Sequence, residues 1–218
     1  MFKNSKHAFW EALVLTVIIF ILGIFLGIAY EGNKLDEINE YYSLSEISVM
    51  DSLALNKITG LGDISCNTLI DSNIEFADRI YEEAFLLERY ENSGKLTNTL
   101  KLAHKKYDLL RTLLWINLIE VSKKCEGDFS TVIYLYEFET KDLTQKATHR
   151  VWSRILFDLK QEKGNEIILI PIAVDSNLIS LNSLIEKFNI SSFPVVIIDD
   201  EHVISEISSV GELERYLG

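Results

Sequence analysis

The apolar positions of this chain change period several times, and the changes divide it. From Ala12 to Tyr30 there is no alternation at all: 19 residues, "ALVLTVIIFILGIFLGIAY", carry no charge. As a helix this run spans about 28 Å, close to the hydrocarbon core of a bilayer. From Glu31 to about Ile58 the apolar residues thin to Leu35, Ile38, Tyr42 and Val49 at roughly heptad spacing, with Ser45 and Ser52 in the intervening slots. That pattern predicts a helical stalk with a weak seam. Thr59-Gly60-Leu61-Gly62-Asp63 should break it.

Two helices with period near 3.6 are expected next. The first covers about Asn67 to Glu91, with the stripe Ile70, Ile74, Ala77, Tyr81 and Ala84. Asn92-Ser93-Gly94 is a turn of the kind that joins antiparallel helices. The second covers about Leu96 to Lys124, with the stripe Leu100, Ala103, Tyr107, Leu110, Leu114, Asn117 and Val121. Asn117 either sets the register of the pair or stands partly exposed. Leu109, Leu113 and Ile116 give this helix a second apolar face, which the stalk or the next domain should cover.

From Thr131 the pattern becomes that of strands. "TVIYLYEF" (131–138) and "EIILIPIAVD" (166–175) are β-branched or aromatic, and Val195–Ile198 and Val203–Ile207 flank the acidic turn Asp199-Asp200-Glu201, which is expected to be a hairpin tip with solvated charges. Helices are expected at Leu143–Glu162, ended by Gly164, at Ser180–Phe188 and at Gly211–Leu217. The order is βαβαββα, in which the first two strands are parallel and the last two form a hairpin.

Charge adds orientation. Lys3, Lys6 and His7 precede the apolar run, while Glu31, Asp36, Glu37 and Glu40 follow it. The positive-inside rule then places the amino terminus in the cytoplasm and the rest outside the cell membrane. A cleaved signal peptide is the competing reading, since Gly27-Ile28-Ala29 offers a small-x-small site. Gly23 and Gly27 form a GxxxG spacing that, with the stalk, could support a homo-oligomer. The net charge of −12 argues against a nucleic-acid surface. The 2 cysteines, Cys66 and Cys125, fall at neighbouring ends of the helical hairpin, so a structural disulfide is expected after export.

The element order, together with "FNISSFPVVIIDDEHVI", resembles a thioredoxin-like domain over roughly 129–218. The resemblance implies a cis proline, Pro194, at the head of the third strand. It also places the second strand at a sheet edge, where Pro171 is tolerated. The whole layout is similar to membrane-anchored archaeal proteins with a helical hairpin before such a domain. The family's redox enzymes carry a CxxC pair after the first strand. Here that place holds Glu139, Thr140, Lys141 and Asp142, and no cysteine follows Cys125. Without a thiolate nucleophile the domain cannot exchange disulfides by itself.

The expected fold is therefore an α/β thioredoxin-like carboxy-terminal domain after a long antiparallel helical hairpin and a transmembrane helix. The expected segments are 1–11 cytoplasmic, 12–30 membrane-spanning, 31–62 stalk, 63–127 hairpin and 128–218 thioredoxin-like. No catalytic group, metal ligand or cofactor is expected; the 4 histidines are scattered and no phosphate-binding or hydrolase motif occurs. The expected activity is binding of a protein or peptide at Phe193, Pro194, Glu139, Thr140, Lys141 and Asp142, where the last four also suit an ordinary helix cap. Two other classes compete: a thiol–disulfide enzyme using Cys66 and Cys125, and a purely structural envelope protein.

Overall fold

The structure, a computed structural model, describes residues 5–58, 65–92, 98–125, 129–207 and 209–217. The chain forms two compact units, Met1–Tyr41 and Tyr42–Gly218. Helix α1, Ser5–Ile58, begins in the first and ends in the second. In the first unit, the 22 residues Ala8–Ala29 are long and apolar enough to cross a membrane, and none is buried by the protein. A signal segment would have the same character. A Cβ placed on Gly23 or Gly27 meets nothing within 4 Å. The break expected at 59–63, the turn at 93–94 and the side chains of Tyr30, Leu35 and Ile38 lie outside the described residues.

The second unit contains α2 (Cys66–Asn92) and α3 (Asn98–Lys124), then β1 (Ser130–Tyr136), α4 (Leu143–Lys163) and β2 (Ile167–Ala173). It closes with α5 (Ile179–Lys187), β3 (Val195–Ile198), β4 (His202–Ile204) and α6 (Val210–Leu213). After α1 the element order is the expected one. The last strand is shorter than expected, stopping at Ile204 rather than Ile207. Gly164 ends α4 at φ 55°, a left-handed conformation that favours glycine.

The helices α2 and α3 are antiparallel. Cys66 lies opposite Cys125, with Sγ atoms 2.02 Å apart. Leu69 and Val121 pack beside the bridge, and Asn117 Nδ2 donates to Asn73 Oδ1 at 2.8 Å. Asn117 is 1% exposed, so the partly exposed reading is excluded. Asn73 in turn donates to Leu69 O. A buried amide pair of this kind fixes register, because a slip would leave both amides without partners. All seven residues of the predicted α3 stripe are buried. The α2 stripe is rotated from its predicted place: Leu69, Asn73, Phe76 and Ile80 are buried together with the predicted Ala77, while Ile70, Ile74 and Tyr81 are only half-buried and the side chain of Ala84 lies outside the described residues. The true seam contains a polar residue, so an apolar pattern passes it by.

The stalk's expected seam is used within the chain. Tyr42 packs edge-on against Tyr107 of α3, and Ser45 and Val49 are buried. On the opposite side of α1, Leu44, Ile47 and Met50 are exposed.

The sheet has four strands in the order β2-β1-β3-β4, with β1 parallel to β2 and the other pairs antiparallel. The pleat sends alternate residues to opposite faces. Val132, Tyr134, Ile167, Leu169, Val196, Ile198 and Ile204 face α4 and α6, meeting Trp152, Leu156, Leu159 and Leu213. Ile133, Leu135, Ile168, Ile170, Ile172, Val195 and Ile197 lie on the other face and are buried too. There α2 and α3 pack against β2, and α5 lies beside α3. Trp115 of α3 stacks on Phe188 at 5.3 Å and donates to Asp200 Oδ1 at 2.8 Å. Asp199 and Asp200 both have positive φ and are the central residues of a turn closed by Glu201 N donating to Ile198 O at 3.1 Å. They are half-buried and bonded, where solvated charges were the simpler expectation: Asp199 Oδ1 accepts from Thr131 N at 2.6 Å.

The disulfide yields a direct expectation. Closing a loop of 59 residues stabilises by about 4 kcal/mol in the chain-entropy account. Urea unfolding with and without reductant should differ by roughly that amount. A difference below about 1 kcal/mol would mean that the bridge adds little to the fold.

Candidate functional site

The parallel strands β1 and β2 end side by side, and β3 runs antiparallel to β1. One edge of the sheet, the rim, therefore collects the loop after β1, the turn after β2 and the residues before β3. In sheets with parallel strands this edge is where ligands bind. The Phe193–Pro194 peptide is cis, and Pro194 immediately precedes β3.

The loop 137–142 is built from its own polar groups. Phe138 N and Glu139 N donate to the two oxygens of Asp175, at 3.0 and 2.7 Å, so the turn after β2 braces the loop after β1. Asp142 caps α4, accepting from Thr144 N at 2.8 Å and Gln145 N at 3.5 Å. Thr140 Oγ1 is bonded to Gln145 Oε1, and Gln145 Nε2 donates to Phe193 O at 3.4 Å. Gln145 thus joins Thr140 to Phe193. Sequence reasoning missed it, although Asp142-Leu143-Thr144-Gln145 has the spacing of a capping box. Glu139 pairs with Lys101 of α3 at 2.5 Å, and Lys141 is exposed. Phe193 and Pro194 are half-buried. At the same edge, Leu143 begins α4 at 80% exposure and Ile179 begins α5 at 86%.

Helix α3 approaches the rim with a polar face. The His104 ring lies 4.2 Å from the Phe138 ring. Lys105 Nζ donates to Asn177 O at 3.3 Å. Asp108 is buried, accepts from Ala173 N at 3.1 Å and lies 3.5 Å from the Arg111 guanidinium. Burial pushes the Asp108 carboxyl up to about 6, against the opposing pull of Arg111 and the Ala173 N–H. Burial, helped by Arg111, pushes His104 down to about 4, although Asp175 and Glu139 draw it upward. Under α4, Tyr134 Oη lies 2.6 Å from His149 Nδ1, and burial lowers the pKa of that imidazole. His149 also stacks on Tyr136, and this aromatic group belongs to the core.

The cysteine pair is not part of the rim. Cys125 is 20 residues beyond Lys105 on the α3 side, about 30 Å along a helix. It is buried against Leu69 and Val121. Among the described residues no group of three or more His, Cys, Asp or Glu side chains could hold a metal ion.

No family model matches this chain. No curated protein matches it either. A solved chain described as "Structure of a malarial protein" is similar over 41% of this chain and 99% of its own length, at 19% identity and a TM-score of 0.33. A likeness that slight carries no argument about fold or activity.

Asp108 generates a testable pH dependence. Its pKa is higher folded (about 6) than in an ordinary carboxyl (3.8), so the native state binds more protons between those values. Its stabilising contribution is full below about 4 and is lost as pH rises through about 6. Asp108→Asn should remove this fall from the urea-unfolding profile between pH 4 and 6. Parallel profiles for the two proteins would show that the carboxyl is not held this way.

Proposed function

We propose that this protein is a single-pass membrane protein whose exported part is a redox-inactive, thioredoxin-like binding module for an extended polypeptide. The thioredoxin-like reading is supported by the strand order β2-β1-β3-β4 with one parallel pair. The cis proline ahead of β3 accords with it. The anchor is supported by the exposed apolar run Ala8–Ala29, and its orientation by Lys3 and Lys6 on one side and the acidic residues after Tyr30 on the other.

One observation carries the binding reading. Leu143 and Ile179, the most exposed large apolar side chains among the described residues of the second unit, begin the two helices that leave the parallel strands, at the same end of the sheet as Pro194. Exposed apolar groups gathered where the parallel strands finish are the kind of surface that an extended polypeptide covers. Where the redox enzymes keep a thiol pair, Asp142 caps α4 and Thr140 and Gln145 tie the loop to Phe193. That arrangement presents a braced surface with no thiol.

The test uses the full chain in its own membranes, with a photocrosslinker replacing Leu143. A polypeptide should be captured, and Ile179→Asp should lower the yield by about tenfold, the effect of losing about 1.4 kcal/mol of binding. Capture of lipid alone, or a yield indifferent to Ile179→Asp in a protein of unchanged thermal stability, rejects the reading.

A further inference from the structure

We propose that α3 regulates the rim through His104: the neutral imidazole clamps the loop at Phe138 and Glu139, and protonation of His104 releases it. This deepens the binding reading above and rests on it for its functional meaning.

The clamp is a matter of geometry first. His104 lies on Phe138 with the ring centroids 4.2 Å apart. One turn earlier on α3, Lys101 holds the Glu139 carboxylate. One residue later, Lys105 reaches Asn177 O on the turn after β2. Between these contacts, Asp175 accepts the backbone N–H groups of both Phe138 and Glu139. The hairpin thus grips the residues just before Thr140, which in turn is tied through Gln145 to Phe193. A movement at Phe138 is therefore transmitted to the mouth of β3.

The charges around His104 come from three elements. On α3 they are Lys101, Lys105, Asp108 and Arg111; the turn after β2 contributes Asp175, and the loop contributes Glu139. Arg111 repels a second cation. Asp175 and Glu139 attract one, yet both are already engaged, with two N–H groups and with Lys101. The Phe138 ring offers a cation a further attraction, smaller than the burial that opposes it. Burial dominates, and it holds the imidazole down to about 4 against its ordinary 6.5. A proton therefore binds better to any conformation in which the ring has left Phe138 for water. Between pH 7 and 4 this linkage shifts the clamped-to-released ratio by about a hundredfold.

The test is NMR of the full chain in lipid nanodiscs from pH 7 to 3.5, following the His104 imidazole and the backbone amides of 137–141. In the native protein the loop amides should shift with the midpoint of the imidazole. In His104→Phe, which keeps a ring and cannot titrate, they should stay in the neutral-pH position; His104→Gln serves the same purpose if the phenyl ring is not accommodated. A loop unmoved while the imidazole titrates overturns the proposal. So does a variant loop that moves at the native pH, which would assign the change to a group other than His104. These readouts do not involve a partner. A rim that captures nothing defeats the binding reading alone, and a rim that captures a polypeptide but does not move defeats the clamp alone.

Discussion

A strand at the edge of a sheet has one row of N–H and C=O groups with no neighbouring strand, and β2 has this row buried. The second unit depends on how that problem is met. Backbone groups alternate in direction along a strand, so the outward set on β2 belongs to residues 167, 169, 171 and 173. Lys160 Nζ donates to Ile167 O, and Asp108 accepts from Ala173 N. Pro171 falls in the same outward set, where a missing N–H leaves nothing unpaired. Lys160 also pairs with Asp78 of α2 at 3.4 Å. The two ends of the edge are thus met by side chains, one from α4 and one from the helical hairpin. Removing the hairpin would expose both a sheet face and a polar edge.

The same requirement explains why an ionised pair sits in an apolar setting. Asp108 must be an acceptor, because it receives a backbone N–H in a place without water. Arg111 beside it lowers the cost of keeping that acceptor charged. The hairpin is therefore joined to β2 directly by Asp108 at Ala173 and indirectly, through the Asp78–Lys160 ion pair, at Ile167, as well as by packing between them.

Local pattern made much of this visible in the sequence, and its failures share a cause. The α3 stripe was readable because every position obeys the helical period. The edge position of β2 followed from the thioredoxin-like resemblance, which made Pro171 tolerable there, and the pairing of Cys66 with Cys125 from the antiparallel helices. The α2 seam was not readable, because Asn73 looks polar until its partner, 44 residues away, is known. Asp199 and Asp200 looked like solvated turn residues, yet their partners Thr131 and Trp115 lie 68 and 85 residues distant. At the rim, Glu139, Thr140 and Asp142 drew notice as the contents of an expected loop. His104, Gln145 and Asp175, which hold that loop in place, did not. Of these, only Gln145 had a local signature.

The bridge between Cys66 and Cys125 also decides how the molecule would bear tension. A pull applied at the amino-terminal end of the chain passes along α1 to Cys66, crosses the sulfur atoms and continues from Cys125 into β1. The 59-residue separation between the cysteines, about 200 Å of extended backbone, is thereby taken out of the load path. The hairpin can neither be drawn out as a slack tether nor be peeled from the sheet by force transmitted through its own backbone.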